Sequence, residues 1–336
     1  MSMLAVAEPS RPRIGFLGTG HIGLMRMRAL VEHGLVAPAA IADPSPDMAA
    51  AALALAGEAI LSPSFEALLE EDLDGLVIAT PSALHASQSI AALERGLAVF
   101  CQKPLGRTED EVGAVVAAAR DADRLLGVDL CYRHTAGMRA IRELVRQGDL
   151  GAVHAVDLVF HNAYGPDKPW FFDKALSGGG CVMDLGVHLV DLALWALDFP
   201  EIATVTGHLF SKGRPIARDG ETVEDFATAT LTTADGVVIR LTCSWHLHAG
   251  RDAVIGAAFF GTHGGASFAN VGGSFFDFAA HHHTGTASRA LAAPPDAWSG
   301  RAIVAWAEQL AESPRFDPAA GQHAAVARVL DRIYKR

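Results

Sequence analysis

The sequence predicts an α/β fold in two parts: an N-terminal doubly wound parallel sheet, then a C-terminal α+β domain with a large, mostly antiparallel open sheet. Three observations lead there. Between residues 13 and 129 short apolar runs alternate with alanine-rich helical stretches, as crossover helices between parallel strands require. Beyond about residue 130, long alternating segments follow one another through hairpin-like turns, clearest at Ala234-Asp235-Gly236. A chain of 336 residues also favours two domains, here divided as 1–130 and 131–336.

In the first part the strand candidates are residues 14–17, 37–42, 75–79, 98–101 and 125–128, which makes five or six parallel strands. In the second, strands are expected over 153–161, 222–233 and 237–246, with helices over 181–197, 301–312 and 319–333. The last helix can pack back on the first domain. Helices on one face of an antiparallel sheet leave the other face free, and a large apolar face becomes a subunit interface, so a homodimer or homotetramer is expected.

Composition narrows the class. Hydrophobic residues make up 50% and charged residues 19%, enough for a core in each half, with disorder expected only at the extreme N-terminus. A net charge of -11 without a dense basic run repels phosphate backbones, which argues against nucleic acid and anionic membranes. An anionic cofactor is still compatible, because helix N-termini supply local positive potential. Cys101, Cys131, Cys181 and Cys243 are widely spaced with no CxxC, which reads as reduced core thiols. The absence of an uninterrupted run of 18 or more apolar residues points to the cytoplasm. His281, His282 and His283 read as a solvated loop, and no metal site is expected.

The segment from Ile14 to Gly23 places GxGxxG between a strand and a helix, the Rossmann fingerprint. Gly18 permits the tight turn, Gly20 lets the backbone approach a pyrophosphate, and Gly23 allows close helix–strand packing, with His21 and Ile22 opening the helix. Asp43, 20 residues beyond Gly23, can accept hydrogen bonds from the adenosine ribose. No arginine follows it in Pro44-Ser45-Pro46, so NAD is preferred over NADP. The alternative is local: a glycine turn, with Asp43 capping the helix near Pro46.

Three more segments carry a family resemblance. Thr80-Pro81-Ser82-Ala83-Leu84-His85, then Gln102-Lys103-Pro104-Leu105, then Gly178-Gly179-Gly180-Cys181-Val182-Met183-Asp184-Leu185-Gly186-Val187-His188 resemble the glucose-fructose oxidoreductase, inositol dehydrogenase and MocA family. The resemblance implies that Thr80, Pro81, His85, Gln102 and Lys103 flank the cofactor. It places Lys103 beside the substrate carbon that exchanges hydride, where an ammonium stabilises charge on the reacting oxygen. Gln102 departs from the family's usual Glu, so a negative charge beside the lysine is missing; the Lys103–Pro104 bond has a lowered barrier to being cis.

Asp184 and His188 stand four residues apart, so a helix presents both on one face. His188 is then the general base, titrating near working pH, and Asp184 orients its ring or binds a substrate hydroxyl. The alternative is a core helix with polar residues on its outer side. Arg133 either binds substrate or holds the domain interface; Asn162, Tyr164 and Trp170 either line a sugar pocket or pack at its rim. The resemblance implies NAD-dependent oxidation or reduction of a hydroxyl/carbonyl pair on a sugar, inositol or related polyol, by hydride transfer with acid–base help from Lys103 and His188. Two alternatives use the same fold: an NAD-using glycosidase and a non-enzymatic dinucleotide-sensing regulator.

Overall fold

Strands covered on both faces must be apolar along their whole length, and the N-terminal half obeys this. The computed structural model describes residues 11–216 and 220–335; the disorder expected at the extreme N-terminus falls on residues 1–10, outside the described residues. Six strands, β1 (Arg13–Leu17), β2 (Ala37–Ala42), β3 (Ile60–Leu61), β4 (Gly75–Ile78), β5 (Ala98–Cys101) and β6 (Leu126–Val128), pair in parallel in the order β3-β2-β1-β4-β5-β6. Helices α1 (His21–His33), α2 (Pro46–Ala56), α3 (Phe65–Leu68), α4 (Ser82–Glu94) and α5 (Glu109–Asp121) connect them. The order reverses between β1 and β4, so the loops leaving those strands diverge and open a crevice at their C-terminal ends. β3 was not expected: two half-exposed residues at the sheet edge carry no apolar run to read.

After β6 the chain passes a tight turn at Cys131–His134 and α6 (Ala136–Gln147) before β7 (Val153–Asn162) opens the second sheet. Then come α7 (Lys174–Ser177), a wide π turn at Val182–Gly186 and α8 (Val187–Ala196). The strands that follow are β8 (Ile202–Ser211), β9 (Arg214–Pro215), β10 (Phe226–Thr233), β11 (Val238–Ser244), β12 (Ala253–Gly261), β13 (Gly265–Asn270), β14 (Phe278–Thr284) and β15 (Ala287–Ala292). Helices α9 (Arg301–Glu312) and α10 (Gly321–Tyr334) end the described chain. The nine strands run β15-β14-β13-β12-β7-β11-β10-β8-β9, antiparallel except where β7 lies beside β11. Alternation sets the layers: Val156, Leu158 and Phe160 of β7 are buried on the helix-covered face, and Asp157 points to the other.

Four expectations need correction. β10 starts at Phe226, not 222, because Glu224 is drawn inward as a buried cap, and β11 stops at Ser244 because Trp245 turns into the core and His246 has a φ of 56°. His281, His282 and His283 lie on β14 rather than in a loop; His281 and His283 stack on one face, and His282 faces the other way. The open sheet face is not the apolar surface anticipated. It carries the threonines of β8 and β10 and an ion pair between Arg240 and Asp157, with N–O distances of 2.6 and 2.7 Å.

The C-terminal helices belong to both layers. Trp306 of α9 lies against Phe100 of β5, with ring centroids 5.7 Å apart. A β-carbon at Gly127 would stand 2.7 Å from the Trp306 indole, and one at Gly75 3.0 Å from it. α10 ties α5 to the second sheet: Asp331 accepts from the Glu109 amide at 2.7 Å, and Arg332 donates to the Ala203 carbonyl at 2.7 Å. The stretch Lys174–Ala196 has the length and hydropathy of a membrane span, but 94% of its apolar window is buried inside the protein. Its hydrophobicity therefore reflects a core position. Gly127→Ala should lower stability by about 1–3 kcal/mol through overpacking on Trp306, read by thermal or urea melting; an unchanged midpoint would show that the indole has room to move.

Candidate active site

At the end of β1 the chain must turn sharply into α1. Gly18 does so at φ 81°, its amide donating to the Ala42 carbonyl at 2.9 Å, and a β-carbon there would lie 2.7 Å from the Ala79 carbonyl oxygen. At Gly23 the conflict would be with the Gly18 carbonyl, at 2.2 Å. Gly20 differs: a β-carbon would meet nothing within 4 Å, and the residue caps α1 without a side-chain bond. Open space above Gly20 and the uncapped amides of the first turn, starting at His21 and Ile22, fit a pyrophosphate seated on the helix N-terminus.

Asp43 is held firmly beside this turn. One carboxylate oxygen accepts from the Thr19 amide at 2.5 Å and the Thr19 hydroxyl at 3.1 Å, and the other accepts from the Ser45 amide at 2.8 Å. The cap of α2 is Ser45, not Asp43. Pro81 caps α4 without a side-chain bond, and the Thr80 hydroxyl donates to the Gln88 side-chain oxygen at 2.6 Å. His85 sits deeper than a ligand contact would need. Its ring nitrogens lie 2.6 Å from the Pro104 carbonyl and 2.7 Å from the Thr80 carbonyl, so the buried ring ties the loop after β4 to the loop after β5. Burial pushes its pKa down, although both carbonyls favour the charged form.

Lys103 leaves the end of β5, just before a cis peptide to Pro104. Its ammonium crosses to the second domain and donates to the Asp184 carbonyl at 2.7 Å and to Oδ1 of Asp184 at 2.8 Å. Oδ2 of Asp184 accepts from the Trp245 indole N–H at 3.0 Å. The anion expected to be missing beside the lysine is thus supplied by Asp184. Gln102 points elsewhere, donating to Asp129 at 2.7 Å while its own oxygen accepts from the Lys103 amide at 2.9 Å.

The glycine run before Asp184 is dictated by packing. A β-carbon at Gly180 would stand 1.9 Å from the Glu224 carbonyl oxygen, and one at Gly179 2.1 Å from the Tyr334 hydroxyl. The buried Glu224 carboxylate accepts from the Gly180 amide at 3.0 Å, the Val182 amide at 2.9 Å and the Tyr334 hydroxyl at 2.7 Å. It therefore caps the turn that carries Asp184.

His188 does not bond Asp184. Both carboxylate oxygens already have partners, and among the described residues the imidazole makes no hydrogen bond. Instead it is 6% exposed within an aromatic wall, its centroid 4.9 Å from Tyr132 and 6.4 Å from Phe160. Burial pushes its pKa well below the usual histidine range, with the cations of Lys103 and Arg26 adding to the effect. The expectation of titration near working pH gives way to a depressed pKa, which favours the uncharged ring.

Arg133 is tied to the helices of the second domain. Its guanidinium forms a two-pronged pair with the buried Asp191 of α8, donates to Gln322 of α10 at 3.0 Å and lies over the Phe199 ring. That leaves the substrate reading without support. Asn162 accepts from the Tyr164 amide at 2.7 Å, and Trp170 stacks on Phe171 at 3.8 Å; no hydrogen bond, ion pair or ring contact among the described residues joins either to Lys103, Asp184 or His188. Trp245, which does reach Asp184, was not anticipated. The two are 61 residues apart, and only the β11 register and the turn after it bring them together.

Residues 12–130 match the model of the oxidoreductase family with an NAD-binding Rossmann fold, and residues 138–267 match the GFO/IDH/MocA C-terminal domain. The chain belongs to the Gfo/Idh/MocA family. Among Gfo/Idh/MocA relatives it is 28% identical over 210 residues to D-glucoside 3-dehydrogenase of Escherichia coli (strain K12), a match spanning 60% of each chain. It is 32% identical over 188 residues to the rhizopine catabolism protein MocA of Rhizobium meliloti, covering 55% of this chain and 57% of that one. The chain thus spans under two thirds of the length of these curated relatives. In fold it resembles levoglucosan dehydrogenase in complex with NADH, with TM-score 0.83, 22% identity and coverage of 97% and 96%. A 3-ketoreductase from Actinomadura kijaniata in complex with NADP and TDP-benzene is as similar, with TM-score 0.83, 22% identity and coverage of 97% and 98%.

The buried imidazoles predict an acid limit to stability. His85, His134, His161, His188 and His323 all have lowered pKa values, with burial the largest cause, His134 to about 4 and His323 to about 3. An unfolded histidine takes up its proton near pH ~6.5, so below that the unfolded chain binds more protons and stability falls with pH. Asp191 and Glu224, pushed up by burial, act in the opposite sense at lower pH, so the imidazoles are read between about pH 6.5 and 5.5. The buried rings of His85 and His188 each contribute on the order of 1 kcal/mol across that pH unit. A melting temperature that stays level over this interval would contradict the assignment.

Proposed function

We propose that this chain is a nicotinamide-dependent oxidoreductase interconverting a hydroxyl and a carbonyl on a sugar, inositol or related polyol. One observation carries the reading: the Lys103 ammonium lies 2.8 Å from the Asp184 carboxylate where the two domains meet, at the C-terminal edge of the parallel sheet. Ligands of open α/β sheets bind in that crevice. The kinds of substrate named for the relatives, a glucoside and levoglucosan, support a sugar or polyol.

A bound dinucleotide supplies the hydride acceptor for oxidation and the donor for reduction. Of the three ammonium protons of Lys103, two engage Asp184, which leaves the third for the reacting oxygen of the substrate. Asp184 cannot turn away from this task, because the Trp245 indole holds its second oxygen. The ammonium stabilises negative charge on the substrate oxygen as its proton departs. His188, neutral and without a hydrogen-bond partner among the described residues, accepts that proton at a ring nitrogen and returns it in reduction. Closing the aromatic wall around it keeps water from competing for the proton.

Two finer points belong to the same reading. Asp43, fixed by Thr19 and Ser45, offers an anion where NADP would place its 2′-phosphate, so NAD is the preferred dinucleotide. The uncovered face of the nine-stranded sheet, polar where Arg240 pairs with Asp157, is the surface left for a homodimer or homotetramer contact, and four buried free thiols suit the reducing cytoplasm.

The decisive experiment is a panel of sugars, inositols and glycosides with NAD or NADP, followed by reduced-cofactor absorbance and product analysis. Glycoside loss without reduced cofactor would favour hydrolysis instead. Lys103→Ala and His188→Ala should each lower kcat by about 10²–10⁴-fold while NADH affinity changes little; near-normal turnover in either removes that residue from the mechanism. Asp43→Ala should weaken NAD and narrow the preference over NADP, measured as the ratio of kcat/KM values, and an unmoved ratio would exclude Asp43 from cofactor selection.

A further inference from the structure

Below the catalytic lysine lies a charged pair that the reaction described above does not use. Arg26 of α1 and Asp129, just past β6, form a buried ion pair with Nε–Oδ2 at 2.5 Å, the two side chains 7% and 1% exposed. Gln102 donates to the same Oδ2 at 2.7 Å. The contact is single-pronged: Nη1 of Arg26 and Oδ1 of Asp129 are buried and have no partner among the described residues. One oxygen therefore organises both neighbours. A buried pair of this kind adds little net stability compared with apolar side chains of similar size, so its geometry calls for a positional explanation.

Gln102 provides it. An amide group can rotate so that either end faces a partner, but an acceptor at Oδ2 fixes the –NH2 end toward Asp129. The carbonyl end is then forced toward the main chain, where it receives the Lys103 amide at 2.9 Å. We propose that Asp129 is a positioning residue for the hydride-transfer step: anchored by Arg26 from the helix behind the glycine turn, it orients Gln102, which fixes the backbone from which Lys103 reaches Asp184. The cofactor turn and the lysine are thereby set in one frame. This inference rests on the oxidoreductase reading given above.

The local charges agree. Burial works to lower the Arg26 pKa and Asp129 works to raise it, with a net increase, so the guanidinium keeps its charge. The neighbouring Cys131 thiol is pushed up to about 12, first by burial and then by the Asp129 anion, with Arg26 and Lys103 opposing. Arg26 and Lys103 also help to hold the His188 pKa down. Within this group of two cations and two anions, counting Asp184, position 102 has to be neutral, because a carboxylate there would confront Oδ2 of Asp129 at hydrogen-bond distance.

The test is a set of three variants compared with wild type across pH: Gln102→Glu, Gln102→Met, and the double variant Gln102→Glu/Asp129→Asn. Gln102→Glu should lose about tenfold in kcat at alkaline pH and recover as the pH falls, since facing carboxylates raise one another's pKa and a shared proton restores the hydrogen bond. Gln102→Met should show a similar loss that does not vary with pH. The double variant, in which the new amide at position 129 donates to the new carboxylate at position 102, should regain most of the activity. In all three, kcat should change far more than KM for the dinucleotide. Wild-type kcat in Gln102→Met, or a double variant no better than Gln102→Glu, overturns the proposal. If wild type turns over nothing in the substrate panel, the oxidoreductase reading fails first. Melting then decides the geometry: a deficit in Gln102→Glu that closes at low pH upholds the Asp129–Gln102 contact, and a pH-independent one refutes it.

Discussion

The contact between Lys103 and Asp184 is the constraint around which the rest of the molecule is arranged. An ammonium from the parallel sheet and a carboxylate from the second domain can meet at 2.8 Å only if the two layers are fixed relative to one another. Asp331 of α10 accepts from the Glu109 amide that opens α5, and Arg107 donates to the Ala175 carbonyl, so both ties cross between the layers. Within the second domain Arg133 pairs with Asp191, Glu224 caps the turn beneath Asp184, and the Trp245 indole closes the carboxylate's other side. Each of these buried groups would be costly if left alone in the interior. Their cost is offset because each finds its partner when the turn presents Asp184 to the lysine.

The glycines illustrate how the same residue type answers to different demands. Gly18 and Gly23 are needed because backbone lies against them, whereas Gly20 faces open space that a ligand can fill. Gly179 and Gly180 serve neither turn nor phosphate. They admit the Tyr334 hydroxyl and the Glu224 backbone against the chain entering α8. A glycine-rich motif therefore marks close approach, and the identity of what approaches is settled by tertiary structure.

Local pattern was enough for much of the architecture. The parallel strands announced themselves as apolar runs, and the GxGxxG turn with Asp43 beside it was readable as a unit, because these signals lie within one βαβ unit. Lys103, Asp184 and His188 were also legible, through motifs whose spacing survives in a single chain. Their partnerships were not. A four-residue spacing favoured a bond between Asp184 and His188, yet the π turn begins at Val182 and the lysine from another domain claims the carboxylate. Trp245, Asp129 and Arg26 left no trace in sequence because they act on residues 27 to 103 positions away. Arg133 was ambiguous for the same reason, since an arginine at a junction serves a substrate or a carboxylate equally well until its neighbours are known.

The placement of Trp306 bears on how far the nucleotide-binding half is a separable module. Its indole fills the hollow left by Gly75 and Gly127 and covers Phe100, so one wall of the parallel sheet comes from a helix more than 170 residues downstream of β6. Excised after β6, that half would present a greasy furrow to water and would tend to clump. A chimera built by transplanting it onto a different catalytic partner would have to bring along residues 301–312, or supply a substitute helix shaped to the same hollow.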